Sequence, residues 1–421
     1  MNPSDAITPS PHAHARAPQD WRIVVGVFWV TQLVESIGVA QVYALLPTVL
    51  REMGMSEVDR VPFVGLFSSL VFVLGLPLVP LWGVWADKVS RKAVIVRSCL
   101  VEVAVFGVAA MAHEPWQMAL AVMLIGLQLG NTGVMLAAIR DVAPRARLGV
   151  VIGLFGVAGP VGFAVGPALA GLLIDGLSWS ISAVYVLAAV LSVLTAVLVT
   201  FGTREVRPEV IPSGPVLRLA FGALRSVLGD PDVRRLFAVY GVVFLANQVS
   251  RPYTPLLVER IVGTGAGLAT GIGLVMGLGS LVGAFTAPPA GAVGDRVGYR
   301  PVLVVSLGAG AVASFLMAFV GWLPGLVLVA VLLGAAVAIT GSMVFSLLAT
   351  EVPPARRSTT LNLVYLPLYV AGIIGPAIGS GVASVGGTGA PFLVGAVVFA
   401  LGSLAMAVRH RPTAPVAAPS A

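Results

Sequence analysis

Ionisable side chains deep inside apolar segments are the sharpest chemical feature of this sequence. The acidic members are Glu35 and Glu102, and Arg251 is the one basic residue that falls well inside a predicted segment. A charge at the centre of a bilayer costs at least about 2.5–3.5 kcal/mol, so such residues usually bind a ligand, carry an ion or pair with each other. Glu35 lies about 18 Å along its segment, where a carboxyl group can take up and release a proton. Glu35 is therefore the proton-coupling candidate, with Gln32 one turn away.

Arg251 has two interpretations from the sequence. Together with Asn247, one turn away, it could bind an anionic or polar group. It could instead neutralise Glu35 in a buried ion pair, and both residues would then be structural. Glu102 is a weaker candidate for ligand binding. It could pair at a helix interface or carry protons in place of Glu35.

Membrane-spanning helices are the elements that must position these residues. Of the 421 residues, 58% are hydrophobic and only 10% charged, whereas soluble domains average about 25% charged residues. Apolar stretches of about 20 residues, each able to cross about 30 Å of hydrocarbon, recur along the chain. This predicts an all-α membrane protein with twelve transmembrane helices. The predicted spans are 23–50, 62–84, 94–112, 116–139, 149–173, 181–201, 236–258, 266–290, 301–321, 323–349, 359–384 and 390–408.

The positions of Lys and Arg predict the orientation of these spans. Apart from Arg251, only Arg51, Arg60 and Arg260 fall away from the side that carries both termini and the polar linker. Cytoplasmic loops are rich in Lys and Arg, so both termini are predicted to be cytoplasmic, in the inner membrane of a bacterium. The net charge of +7 then reflects membrane orientation, and nucleic-acid binding is not expected.

The two halves of the chain repeat each other. Gly83 and Asp87 return as Gly291 and Asp295, about 208 residues later. Three further pairs follow nearly the same offset, namely Pro47 and Pro255, Pro144 and Pro353, and Gly166 and Gly375. The predicted organisation is a tail at 1–22, a six-helix bundle at 23–201, a linker at 202–234, a second six-helix bundle at 235–408 and a tail at 409–421.

Two motifs carry a family resemblance. The first is Gly83-x-x-x-Asp87-Lys-x-Ser-Arg91-Lys92 between spans two and three, and the second runs through Gly159-Pro160 and Gly166-Pro167 in span five. On these motifs the chain resembles the major facilitator superfamily, and the second is similar to the span-five signature of its 12-span drug:proton antiporter branch. The chain departs from the family pattern at Ser90, where glycine is usual. It also lacks the arginine of the branch's span-four signature.

The resemblance implies the major facilitator fold, two pseudo-symmetric six-helix bundles that alternate in access to a central site. It also implies a cytoplasmic latch around the first motif and its second copy. In the first copy, Asp87 would dock near Ser358 and Thr359, while Arg91 would pair with Asp141. The expected latch residues are Gly83, Asp87, Arg91, Asp141, Asp295 and Arg296. A charged tight loop that only fixes topology is the alternative.

Small residues in span five recur at spacings of three and four, which places them along one helical face. Such a face lets another helix pack closely. The expected helix-packing residues are Gly159, Pro160, Gly162, Gly166, Pro167 and Gly171. A pivot between the two halves and ordinary small-residue packing explain this pattern equally well.

A central cavity follows from the same resemblance, which implies that spans one, four, seven and ten line it. Amide and aromatic side chains around an apolar cavity suit amphipathic organic molecules. The candidates for lining it are Gln32, Gln128, Asn131, Asn247, Arg251, Asn362, Tyr365 and Tyr369. For each of them, simple helix packing is an equally good explanation.

These features favour a secondary active transporter over an enzyme. The sequence carries no nucleotide-binding loop, metal-ligand cluster or catalytic triad, so we expect no cofactor and no metal. The leading hypothesis is proton-coupled efflux of small hydrophobic or amphipathic compounds by a functional monomer in the lipid bilayer. The alternatives are a transporter specific for a metabolite or sugar, and a membrane sensor that does not transport.

Overall fold

The computed structural model describes residues 19–208, 214–229, 231–351 and 366–408. Long apolar helices make up most of this part of the chain because a backbone in lipid must satisfy its hydrogen bonds internally. The helices of the N-terminal half are α1 (Trp21–Glu52), α2 (Glu57–Lys88), α3 (Arg91–Ala110), α4 (Pro115–Ile125), α5 (Asn131–Val142), α6 (Leu148–Gly171) and α7 (Ile181–Gly202). The helices of the linker and the C-terminal half are α8 (Val216–Leu228), α9 (Pro231–Ser250), α10 (Thr254–Val262), α11 (Leu268–Val297), α12 (Tyr299–Phe319), α13 (Leu323–Glu351), α14 (Leu366–Gly386) and α15 (Ala390–Val408).

Eleven spans in the described residues are long and apolar enough to cross a membrane, and they correspond to eleven of the twelve predicted spans. The remaining one, span seven, is built from α9 and α10, joined by a 3-10 turn at Arg251–Tyr253. Its polar residues lower its hydropathy. The twelve-helix fold class predicted from the sequence is therefore confirmed, with span seven interrupted at Arg251.

Two features of the connections differ from the sequence prediction. Span four is broken: α4 ends at Ile125, a 3-10 turn follows, and α5 begins at Asn131. The linker contains helix α8, whereas the sequence predicted only a polar segment. The turn in span four places Gly130 at a φ of 95°, a left-handed conformation that glycine adopts without strain.

The two halves meet mainly on one side of the bundle. We name the side that carries residue 19 and the linker the linker side, and the opposite one the far side. Near the far side, a Cβ atom on Gly273 of α11 would lie 2.7 Å from the Pro167 carbonyl oxygen of α6. Toward the linker side, Gly153 of α6 and Gly291 of α11 have nothing in the described structure within 4 Å of such a Cβ. The far side is therefore closed, while α6 and α11 leave space near the linker side.

Candidate functional site

Glu35 lies on α1 opposite the break in span four. The Asn131 side chain, at the first residue of α5, donates a hydrogen bond of 2.9 Å to Glu35 Oε2. Both residues are buried. The break faces α2 so closely that a Cβ on Gly126 would lie 2.3 Å from the Val71 carbonyl oxygen. Close packing of α2 against Gly126 therefore positions the amide that holds the carboxyl group.

Polar side chains extend this site one turn along α1. Thr132 donates a hydrogen bond of 2.8 Å to Gln32 Oε1, and Gln32 donates one of 3.2 Å to Ser36. We name the residues Gln32, Glu35, Ser36, Asn131 and Thr132 the Glu35 cluster. The structure thus brings together three residues that the sequence singled out, Gln32, Glu35 and Asn131. Gln128, in the adjacent turn, is also buried, and its Oε1 has no hydrogen-bond partner within the described residues.

Arg97 is a functional candidate that the sequence analysis missed. It lies on α3, with its guanidinium carbon 3.7 Å from the centroid of a Trp82 ring, and it interacts electrostatically with Glu35. The sequence prediction grouped Arg97 with the basic residues of the linker side and did not connect it with Glu35. The sequence placed the start of span three at residue 94, but α3 begins at Arg91. Arg97 is therefore about 9 Å along the helix.

Glu102 occupies a helix interface, as one of its sequence interpretations held. Its Oε2 accepts a hydrogen bond of 3.0 Å from Ser192 of α7, and the residue is 2% exposed. It also interacts electrostatically with Glu35. Glu102 is thus held between α3 and α7, away from the hydrogen bonds of the Glu35 cluster.

Arg251 does not pair with Glu35, so of its two interpretations the buried ion pair is wrong. Its guanidinium carbon lies 5.0 Å from the Tyr43 ring centroid and 4.9 Å from that of Phe163. The 3-10 turn at the end of α9 directs Arg251 toward these two rings of the N-terminal half. A narrow cavity beside it is lined by Tyr43, Ser68, Phe72, Gln248, Arg251, Pro252 and Pro376.

Of the remaining cavity candidates, two lie near Arg251. Asn247 lies one turn before Arg251, partly buried. Tyr369 of α14 is 8% exposed and packs on Phe72, with ring centroids 5.9 Å apart, so it borders the cavity beside Arg251. Asn362 and Tyr365 lie outside the described residues.

A buried ion cluster on the far side joins the two halves. Glu259 of α10 accepts from Arg60 of α2 at 2.9 Å and from Arg51 of α1 at 3.2 Å. Arg60 and Glu259 are 5% and 8% exposed, whereas the Arg51 side chain is 27% exposed. We name these three residues the far-side cluster. The sequence prediction ended span seven at 258, so Glu259 was counted as a loop residue.

The loop between α2 and α3 is centred on Arg91, whose side chain is 2% exposed. Arg91 binds Asp141 at 2.6 Å, the pair that the sequence analysis anticipated, and Asp87 at 2.9 Å. The linker also contacts the loop, since Glu205 accepts from the Arg91 backbone N–H at 2.8 Å and from the Ser90 hydroxyl. These contacts organise the loop within the N-terminal half. The predicted docking of Asp87 near Ser358 and Thr359 lies outside the described residues.

The second copy of the loop is simpler. Asp295 accepts a hydrogen bond of 2.5 Å from the Tyr299 hydroxyl, and no ion pair with Asp295 or Arg296 occurs among the described residues. Gly298 has a φ of 93°, but Ser90, its counterpart, has extended backbone and caps α3 by accepting from Ala93. The glycine is required only where φ is positive, which explains how the first copy tolerates serine.

The span-five motif divides between two partners. Gly162 and Gly166 face α1, where an added Cβ would lie 2.5 Å from Ser36 Cβ and 2.5 Å from the Ile37 carbonyl oxygen. Gly171 faces α11, with Thr270 Cα 2.7 Å from such a Cβ. Pro160 and Pro167 lie inside α6, and Gly159 approaches only the Ser36 hydroxyl. The motif thus packs on α1 within the N-terminal half through Gly162 and Gly166, and on α11 of the other half through Pro167 and Gly171.

Comparison with known proteins gives the same architecture. Residues 28–271 and 236–421 match the family model described as Major Facilitator Superfamily. The chain is 26% identical over 389 residues to the multidrug resistance protein MdtG of Klebsiella pneumoniae (strain 342), covering 91% of this chain and 93% of that protein. It is also 26% identical over 405 residues to MdtG of Enterobacter lignolyticus (strain SCF1), covering 96% of each.

Solved structures share the fold at lower identity. The nucleoside transporter NupG superposes with a TM-score of 0.72 at 15% identity, covering 92% of this chain and 100% of that one. The human organic anion transporter MFSD10 gives a TM-score of 0.69 at 20% identity, covering 92% and 100%. Because the family model matches nearly the whole length, this membrane protein belongs to the major facilitator superfamily.

Proposed function

We propose that the protein is a secondary active transporter that exports small hydrophobic or amphipathic compounds in exchange for protons. The hydrogen bond from Asn131 to the buried Glu35 carries the proton-coupling part of this proposal. Export of diverse compounds rests on similarity to two multidrug resistance proteins over more than nine-tenths of this chain. These relatives favour multidrug efflux over transport of one sugar or metabolite.

Alternating access needs a barrier that can break on each side of the substrate site. The far-side cluster supplies one such barrier, since Glu259 on the C-terminal half binds Arg51 and Arg60 on the N-terminal half. In the described structure α6 and α11 are apart near the linker side, so this conformation would accept substrate from there. We place the linker side in the cytoplasm because the Lys and Arg residues are concentrated there. Export then requires the far-side cluster to dissociate.

The Asn131 amide can bind Glu35 in either of its protonation states. As a carboxylate, Glu35 accepts from Asn131 Nδ2, and the nearby Arg97 offsets its charge. As a carboxylic acid, it can donate to Asn131 Oδ1, which has no hydrogen-bond partner within the described structure. Rotation of one amide therefore satisfies both protonation states. A proton on Glu35 would remove a buried charge and change which conformation is favoured.

Substrate would bind in the space between the halves, beside the Glu35 cluster and Arg251. We assign the lining to Gln32, Gln128, Asn131, Asn247, Arg251 and Tyr369. The Arg91 loop, with Asp87 and Asp141, would act as the latch on the cytoplasmic side. The protein would work as a monomer in the inner membrane of a bacterium, with both termini in the cytoplasm and no chemical reaction catalysed.

Expression in a bacterial strain that lacks its own multidrug pumps tests the proposal. We expect lower accumulation of amphipathic fluorescent dyes and higher tolerance to hydrophobic antibiotics, both abolished by a protonophore. Arg145→Gln, at an exposed position near the linker side, is the control and should leave efflux unchanged. Dye accumulation equal to that of cells without the protein, despite normal amounts in the membrane, would overturn the efflux function.

A further inference from the structure

We infer that Asp175 is a positioning residue of the far-side gate, which it closes by capping a helix of the opposite half. Asp175 lies in a single π-turn, Leu172–Gly176, that directly follows α6 in the N-terminal half. Its Oδ2 accepts a hydrogen bond of 2.7 Å from the backbone N–H of Thr270, in the first turn of α11. Its role in alternating access rests on the proposed transport function, whereas the contact itself can be tested without transport.

The start of α11 explains why this contact matters. The helix begins at Leu268 after Gly267, which has a φ of 91° and no side chain to bind the free N–H groups of the first turn. Helices usually satisfy the N–H of their second or third residue with an oxygen from the N-cap side chain. Thr270 is the third residue of α11, so Asp175 supplies from the other half the acceptor that Gly267 lacks. The carboxylate also faces the positive end of the helix dipole.

The backbone at the end of α6 is shaped to place Asp175. The π-turn is followed by Ser178 with a φ of 56°, the one positive φ at a non-glycine residue in the described part of the chain. The Trp179 N–H closes this end by donating a hydrogen bond of 3.0 Å to the Leu173 carbonyl oxygen. Such π-turns and left-handed residues are uncommon and are often found at functional sites. The end of α6 therefore holds the carboxyl group in a defined position over α11.

Close packing of α6 against α11 continues from this contact toward the linker side. A Cβ on Gly171 would lie 2.7 Å from Thr270 Cα, and one on Gly277 would lie 2.8 Å from the Ala164 carbonyl oxygen. The two backbones are thus in contact on the far-side part of this interface. Because of this, α11 cannot move away from α6 there without breaking the hydrogen bond from Thr270 to Asp175.

The N-terminal half holds α10 and α11 at two separate places. Glu259 of α10 binds the two arginines of the far-side cluster, and Thr270 of α11 binds Asp175. Asp175 forms no ion pair among the described residues, so the N-terminus of α11 is its positive partner there. When the far side opens, α11 loses its cap and the carboxylate returns to water. The contact therefore favours the conformation with a closed far side, and its strength sets how often that side opens.

Two cysteine reporters, one for each side, test this inference in a Cys99→Ser background. Ser68→Cys reports the far side. Gly153→Cys reports the linker side, because residue 153 lies eleven residues before Ala164, three helical turns away, on the face of α6 that meets α11. The rate of reaction with a maleimide is measured at each position in the purified full-length protein in nanodiscs.

The two reporters should respond differently to loss of the cap. Asp175→Ala should raise the rate at position 68 about fivefold, the change that loss of a typical N-cap gives. At position 153 the rate should stay equal or fall, because opening of the far side accompanies closure of the linker side. Asp175→Asn keeps a neutral acceptor, so its rate at position 68 should lie between those of Asp175→Ala and the background. A helix end that is merely loosened would instead raise both rates.

The controls separate the contact from stability and from transport. Glu57→Gln removes an exposed carboxylate on the same side and should leave both rates unchanged, while thermal unfolding reports whether each variant is folded. If Asp175→Ala does not fold, Asp175→Asn decides. Unchanged rates in the folded variant, or rates that rise at both positions, overturn the inference, even if efflux is normal and the transport function stands. The expected change at position 68 without movement of any dye in proteoliposomes would instead remove the transport function and leave the contact as a determinant of far-side closure.

Discussion

Arg51 and Glu259 occupy equivalent positions in the two halves, 208 residues apart, and form an ion pair with 3.2 Å between Nη1 and Oε1. The offset is the one that relates the repeated motifs, so the far ends of spans one and seven meet with opposite charges. Arg60 adds a second, more buried partner for Glu259. The internal repeat thus places the far-side cluster on the pseudo-symmetry axis, where it joins the halves directly.

Breaking this cluster should open the far side. Glu259→Gln leaves Arg60 buried without its anion, and loss of one partner of a buried pair costs about 3–5 kcal/mol. We expect a cysteine introduced at Ser68, in a background with Cys99→Ser, to react several-fold faster with an impermeant maleimide applied from the far side. Arg51→Gln is the matched control and should give a smaller increase, because Arg51 is partly exposed. Equal labelling rates in Glu259→Gln and the unsubstituted background would contradict a gating role.

One methyl group added between α6 and α11 should also open the far side. In Gly273→Ala the new Cβ would lie 2.7 Å from the Pro167 carbonyl oxygen, so the helices must separate. The same labelling assay should therefore report a more open far side and weaker efflux. Gly265→Ala, where nothing lies within 4 Å, should behave like the parent protein. Normal labelling and efflux in Gly273→Ala would argue that this contact does not move during transport.

Glycine should be required at position 298 of the second loop copy and not at the equivalent position 90 of the first. Gly298→Ala forces a residue with a side chain to a φ of 93° and a ψ of 145°, and it should destabilise the protein by about 1–3 kcal/mol. Ser90→Ala should cost about 1 kcal/mol through the lost helix cap. Ser90→Gly, which restores the family residue, should bring no gain, because the backbone there is extended. Thermal unfolding of the purified variants measures all three, and a stabilised Ser90→Gly would contradict this explanation.

Much of the fold could be predicted from the sequence because bilayer thickness fixes the length of each apolar segment. The pairing of Arg91 with Asp141 was anticipated from the family resemblance. The break in span four was not predicted, because Gly130 takes its left-handed conformation where α2 packs closely against the turn. This packing joins helices that are distant in the sequence, so no local sequence pattern indicates it.

The errors at the site share a physical cause. A helix can begin a few residues before its apolar run, as α3 does at Arg91, so Arg97 lies within α3 and close enough to Glu35 to interact with it electrostatically. In the same way, α10 continues to Val262, beyond the predicted end of span seven at residue 258, so Glu259 belongs to a helix and not to a loop. The alternative that paired Glu35 with Arg251 rested only on their charge and their depth in the spans. In the structure an amide binds Glu35, and two aromatic rings flank Arg251.

Substrate-driven proton movement in proteoliposomes tests the central claim most directly. A pH-sensitive dye inside the vesicles reports protons when a transported dye is added, for the wild type and for Glu35→Gln. We predict proton flux with the wild type. Glu35→Gln should show no flux and no pH-driven transport but should still bind the dye, because glutamine keeps the shape and a hydrogen bond to Asn131. Unchanged proton-coupled transport in Glu35→Gln would contradict the assignment of Glu35 as the proton carrier.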